Sequence, residues 1–271
     1  MANGLTRIDL TPRIGSELKA DIAALISGQF SNEIRALLEQ RGVVALRELN
    51  LSDEQQLAFT MTLGNTASEK YKITKITMDP LENPNADYIK GAFYWHIDGT
   101  MLDIPVFASV MSSRRLSTIG GQTEFSNTYA AYDDLPDSEK SALAKLKVVH
   151  MFETAQRYVT PEPTYAQLRA WQEHQPNVLP LVWTHRSGRK SLVLGSTASH
   201  IEGMDLREGQ ALLTRLREWA TQPPFVYRHE WKLGDLVIWD NTGTMHRAIA
   251  YPFDSGRLMY RTQVAGDEPF A

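Results

Sequence analysis

Two histidine–carboxylate pairs stand at a spacing of two residues, His96-Ile97-Asp98 and His200-Ile201-Glu202. Successive side chains of a strand point to opposite faces, so on a strand both members of either pair share one side and could reach one ion. With a second histidine, such a pair makes the 2-His-1-carboxylate face of non-heme iron(II), whose three open positions admit a co-substrate and O2 together. Seven histidines and 32 acidic residues make one such pair by chance ordinary, so spacing alone does not choose between them. Each also has a plainer reading as a hydrogen-bonded surface pair.

Context makes the choice. Trp95-His96-Ile97-Asp98 is followed by Gly120-Gly121-Gln122-Thr123, then by Trp239-Asp240-Asn241 leading to His246, then by Arg257 and Arg261 four residues apart. Taken singly, His246 reads as a satisfied core or loop histidine, the arginines as solvated strand residues, Thr123 as a strand hydroxyl and the glycine pair as a turn. As an ordered set (WHxD, GGxT, WDNxxxxH, RxxxR), the chain from about Arg41 to Phe270 resembles the taurine dioxygenase and 2,4-dichlorophenoxyacetate dioxygenase family of iron(II)/2-oxoglutarate oxygenases. The segments ASHIEGM and ATQPPFVYRHEWKLGDLVIWDN look closer to the phenoxyacetate enzymes than to the taurine enzymes.

The resemblance implies a mainly β fold with flanking α-helices, a double-stranded β-helix or jelly roll with the metal in its mouth. It makes His96, Asp98 and His246 the Fe(II) ligands and gives Thr123 and Arg257 the distal carboxylate of 2-oxoglutarate. A guanidinium there would form a charge-assisted, two-pronged contact. Arg261 lies four residues beyond Arg257, so on one strand both point to the same face and toward the same site, where Arg261 meets either an anionic substrate or the other end of the co-substrate. His200 would lie near the substrate pocket and be no ligand. The implied reaction consumes 2-oxoglutarate and O2, releases succinate and CO2, and hydroxylates a C–H bond of a small hydrophobic acid, an aryloxyalkanoate or similar. Ala92, Phe93 and Tyr94, just before the first ligand, disfavour taurine itself. Alternatives are another oxidative outcome on the same scaffold, such as desaturation, and a non-catalytic jelly-roll binding protein. Halogenation is disfavoured because Asp98 fills the position that a halide would need.

Composition narrows the field further. The chain contains no cysteine, which removes disulfides, thiolate metal sites and cysteine nucleophiles. A net charge of -4 with no run of like charge argues against nucleic acid as a partner. No run approaches a membrane span, and MANGLTRIDLTPRIG has no continuous apolar stretch, so a cytoplasmic protein acting on a small molecule is expected. A homo-oligomer, dimer or tetramer, is implied by the family resemblance only.

These side chains need a scaffold to bring them together. Residues 1–271 read as one domain, long enough to bury a core without staples. Three-to-four spacing predicts helices in SELKADIAALIS and SNEIRALLEQ, and Ser52 with Gln55 predicts a capping box opening SDEQQLAFTMTL. VVALREL reads as a buried strand. Beyond about Tyr71 come short β-like runs: KITKITM, AFYWHID, VFASVMSS, QTEFS, LKVVHMF, VLPLVWTH, KSLVLGS, FVYRHEW, DLVIWD and LMYRTQVAG. A tight hairpin is expected over Thr184–Lys190. Two helices, YAAYDDLPDSEKSALAKL and LREGQALLTRLREWATQ, interrupt the strands, the second with a stripe of Leu206, Leu212, Leu213, Leu216 and Trp219.

Overall fold

The computed structural model describes residues 4–67 and 73–271. Its early strands are β1 (Thr6–Asp9), β2 (Ser16–Lys19), β3 (Val43–Leu46), β4 (Thr74–Ile76), β5 (Ala108–Arg115) and β6 (Thr123–Asn127). After them come β7 (Lys147–His150), β8 (Asn177–Pro180), β9 (Val182–Thr184), β10 (Lys190–Leu192) and β11 (Ala198–Ile201). The chain closes on β12 (Val226–His229), β13 (Leu236–Asp240), β14 (Thr244–Ala248) and β15 (Leu258–Val264). Seven of these form a major sheet in the order β1-β2-β3-β13-β5-β15-β4, and β12-β6-β14 form a minor one.

Alternation along the central strands builds the layers. Val43 and Ala45 of β3, Val237 and Trp239 of β13, Met111 and Met259 pack with Phe125 and Tyr227 of the minor sheet, filling the space between the sheets. Their neighbours Val44, Leu46, Leu236 and Ile238 face the other way, onto the helices α1 (Ile22–Ile26), α2 (Ser31–Arg41) and α3 (Asp53–Leu63). The outer side of the minor sheet is covered by α4 (Thr128–Asp133) and by the long helix Leu206–Ala220, through Ala130, Leu213, Leu216, Phe225 and Met245. The result is the jelly roll with flanking helices that the sequence predicts, and no helix of the described residues is long and apolar enough to cross a membrane.

Several local expectations hold and several fail. Ser52 and Gln55 form the capping box, and β9 and β10 make the hairpin with Thr184 opposite Lys190. SELK is a strand, not the start of a helix: Ser16 and Leu18 are buried and alternate with Glu17 and Lys19, and β2 runs parallel to β3. Sheet pairing outweighs helical spacing there, and the helix begins only after Asp21, whose side chain caps it. AFYWHID is no regular strand either. A 3-10 helix covers Ala86–Phe93, and His96 joins His246 through a single isolated bridge. YAAYDDLPDSEKSALAKL breaks at Pro136 into two helices, and unforeseen helices cover Phe152–Val159 and Tyr165–Gln172. Leu206 is exposed and does not join the apolar stripe around Leu213 and Leu216. Of KITKITM, Thr74–Ile76 form the strand and Lys72 lies outside the described residues.

Candidate iron and 2-oxoglutarate site

His246 sits mid-strand on β14, between the Phe125 ring at 6.3 Å and the Trp239 ring at 4.8 Å. The His96 segment is laid alongside it by a reciprocal pair of backbone hydrogen bonds, His96 N–H to His246 O at 3.1 Å and the reverse at 2.9 Å. The two imidazoles then lie 4.1 Å apart, centre to centre. Asp98 follows in a turn, with Oδ1 3.7 Å from His96 Nε2 and Oδ2 4.0 Å from His246 Nε2. One ligand atom from each of the three residues lies within 4.8 Å of the others, and no other such group occurs among the described residues.

The protonation pattern suits a cation. His96 Nδ1 lies 2.8 Å from the Tyr94 carbonyl, an acceptor that fixes the proton on Nδ1 and turns the Nε2 lone pair inward. Burial, together with the neighbouring His96, holds His246 well below the usual histidine range, so it is neutral. Burial opposes ionisation of Asp98, yet Arg261 foremost among its neighbours outweighs this and the carboxyl is pushed down to about 2.

Arg257 precedes β15 and is almost wholly buried, at 3% exposure. Its Nη2 donates to the Gly121 carbonyl at 3.0 Å and its guanidinium faces the Tyr251 ring at 4.8 Å. No carboxylate of the described residues pairs with it, and its Nε has no hydrogen-bond partner. A buried guanidinium in that state favours an anion beside it. Phe93 packs edge-on against Tyr251 at 5.4 Å, tying the segment before His96 to this corner. Both glycines of GGxT are needed for the approach. Gly120 (φ 69°) leaves no room for a Cβ against the Ala250 carbonyl, and at Gly121 (φ 81°) a Cβ would sit 3.0 Å from Arg257 Nε. Thr123, buried on β6, accepts a hydrogen bond from Trp231 Nε1 at 3.0 Å, which leaves its own hydroxyl proton free to donate.

Arg261 does not share its setting with Arg257. A register irregularity between Leu258 and Met259 breaks the alternation, and Arg261 Nη1 is bound to Asp98 Oδ2 at 3.1 Å. His200, on β11, contacts Ser199 Oγ at 3.1 Å and is not brought within ligand range of the triad. Glu202 is exposed, so the rival pair assembles no site. Sequence reasoning passed over Ser109, Gln263 and Trp231. Neither Ser109 nor Gln263 stands out in sequence, because β5 also holds Ser112, Ser113, Arg114 and Arg115, and β15 also holds Arg261 and Thr262.

The model of the taurine catabolism dioxygenase TauD, TfdA family matches residues 6–263. The chain belongs to this family. It is therefore an iron(II)- and 2-oxoglutarate-dependent dioxygenase that uses O2. Its relatives include the alpha-ketoglutarate-dependent 2,4-dichlorophenoxyacetate dioxygenase of Burkholderia sp. (strain RASC), 35% identical over 84% of this chain and 83% of that one. The (S)-phenoxypropionate/alpha-ketoglutarate-dioxygenase of Sphingobium herbicidovorans is 31% identical over 87% and 86%. The crystal structure of AAD-2 in complex with Mn(II) and N-oxalylglycine superposes with a TM-score of 0.85 at 32% identity, covering 98% of this chain and 99% of that one.

Proposed function

We propose that residues 1–271 act as one catalytic domain in which His96, Asp98 and His246 hold the iron, Arg257 and Thr123 take the distal carboxylate of 2-oxoglutarate, and a small aryl or alkyl acid is hydroxylated. The reading is carried by the three converging ligand atoms, and the buried, unneutralised guanidinium of Arg257 supports its co-substrate half. The donor set fits iron(II): two imidazoles and one carboxylate, with no thiolate. When bound, the iron and 2-oxoglutarate supply the oxidising power toward an unactivated C–H bond. The protein's share is to seat the two carboxylates and the substrate.

Charge counting supports an acid as substrate. Two positive charges from the metal and one each from Arg257 and Arg261 face one negative charge from Asp98 and two from 2-oxoglutarate. A single positive charge is left over, and a monoanion neutralises it. Arg261, with a buried and unpartnered Nε, is the cation placed to receive that anion. The aryloxyalkanoate acids named for the relatives above set the chemical class, and His200 is assigned to the substrate side. A cytoplasmic setting, where 2-oxoglutarate is made, and a dimer or tetramer complete the reading, the latter to be read by sedimentation.

The test is a panel of phenoxyacetate-type acids, arylpropionates, taurine and the matching neutral amides. Protein loaded with iron without oxygen is exposed to O2 and scored by succinate release and product mass. Aryloxy acids should turn over and amides should not, and Arg261→Ala should raise the KM for the acids. Equal turnover of amides, or an unchanged KM, would move Arg261 to the 1-carboxylate of 2-oxoglutarate and leave the substrate's anion unassigned.

A further inference from the structure

The two oxygens of Asp98 have different surroundings. Oδ2 collects Arg261 Nη1 at 3.1 Å, Gln263 Nε2 at 3.2 Å and Ser109 Oγ at 3.3 Å. Oδ1 receives no hydrogen bond from the described residues and faces His96 Nε2. Ser109, fully buried on β5, is the hub of the arrangement. Its oxygen accepts from Asn241 Nδ2 at 3.0 Å and from Gln263 Nε2 at 3.2 Å. A hydroxyl has two lone pairs and one proton, so with both lone pairs engaged the proton is left for Asp98 Oδ2.

Asn241 is fully buried and its amide is not free to turn over. Trp239 Nε1 lies 2.8 Å from Asn241 Oδ1, and an indole N–H only donates, so the amide oxygen faces Trp239 and the amide nitrogen faces Ser109. Direction therefore passes from Trp239 to Asn241, from Asn241 to Ser109, and from Ser109 to Asp98. The same Trp239 ring walls His246.

We propose that Trp239, Asn241 and Ser109 are positioning residues that form a one-way donor chain, reserving Asp98 Oδ2 for the protein and presenting Oδ1 alone to the metal. The proposal rests on the assignment of Asp98 as a ligand. Its consequence is a coordination count: a carboxylate binding through both oxygens would occupy one of the three positions that co-substrate and O2 require, and the donor chain prevents it.

The experiment titrates metal-free protein with Co(II) under argon, reading affinity and the visible d–d absorption, which reports coordination number. Ser109→Ala should weaken Co(II) binding by about 10- to 100-fold and change the spectrum, as losses of a ligand's hydrogen-bond partner do. Ser109→Thr, which keeps the hydroxyl, should regain both. Asn241→Asp, which turns a donor toward Ser109 into an acceptor, should resemble Ser109→Ala. Parental affinity and spectrum in a folded Ser109→Ala would overturn the proposal, and so would a loss that Ser109→Thr shares in full, since packing would then explain it. If Asn241→Asp does not fold, the Ser109 pair decides. His96→Ala and Asp98→Ala are the controls: parental Co(II) binding in both would show that the ligand assignment itself had failed. Their loss of binding beside an unaffected Ser109→Ala would sink the donor chain alone.

Discussion

Gly121→Ala tests the co-substrate corner without removing any group proposed to touch the co-substrate. The new methyl would stand 3.0 Å from Arg257 Nε and 3.1 Å from Arg257 Cδ, closer than side-chain carbons normally pack, on a residue whose φ is 81°. The left-handed conformation costs an alanine about 1–2 kcal/mol. For a chain of this size that lowers the melting temperature by roughly 2–8 °C. The guanidinium must also give way, and if it surrenders one charge-assisted hydrogen bond to 2-oxoglutarate the loss is about 1.5–3 kcal/mol, or roughly 10- to 150-fold in affinity. Binding of 2-oxoglutarate to the iron-loaded protein under argon separates the two effects, because stability and affinity are read independently. A folded Gly121→Ala that binds 2-oxoglutarate within about twofold of the parent, against the loss worked above, would refute the placement of Arg257 on the distal carboxylate.

Three further outcomes are expected. Thr123→Ala should weaken 2-oxoglutarate binding by the smaller amount of a neutral hydrogen bond, about 0.5–1.5 kcal/mol, and a loss matching that of Arg257→Lys in the same binding assay would contradict the ranking. Asp235 is fully buried and, although burial opposes it, hydrogen bonds from His229, the Lys232 and Glu48 backbone amides and Arg47 push its carboxyl down to about 2. The unfolded chain then holds that proton more tightly, so about 2 kcal/mol of stability is complete above pH 4 and is lost between about pH 4 and 2; urea midpoints of Asp235→Asn should fall less steeply over that window. Ser52→Ala removes the hydroxyl that accepts from the Gln55 backbone amide, while the backbone N–H of residue 52 still donates to the Gln55 side chain, and should cost about 1 kcal/mol in urea unfolding.

Much of the site was legible because its members are spaced by motif. The ordered set from Trp95 to Arg261 singled out the three side chains that converge and a cation that lies against Gly121, while bare spacing did not separate His96-Ile97-Asp98 from His200-Ile201-Glu202. Strand alternation is not what brings these residues together. His96 rests on one bridge and Asp98 on a turn, and the irregularity at Leu258 separates the two arginines. What stayed hidden is what depends on partners far away in sequence. Asn241 meets Ser109 across 132 residues and Gln263 meets Asp98 across 165, and no local periodicity encodes such contacts. SELK failed for a related reason, since four residues fit either period and only the unseen neighbour β3 settles them.

The major sheet also sets an order of events during synthesis. Its centre is β13-β5-β15, so a strand made early in the chain is flanked by two made near the end. β5 has no partner in that centre until Leu236 and the residues after it have left the ribosome, and His246, Arg257 and Arg261 emerge later still. Non-local pairings of this kind form slowly and expose apolar edges while they wait. A growing chain therefore carries His96 and Asp98 long before His246 and Arg257, the residues proposed to complete the iron and co-substrate sites, have been made. On the proposed ligand set, iron captured at that stage would meet only two of its three protein ligands. β14, which carries His246, lies in the chain between β13 and β15, the two strands that complete the major sheet, so on the proposed ligand set the iron site is completed as the fold closes.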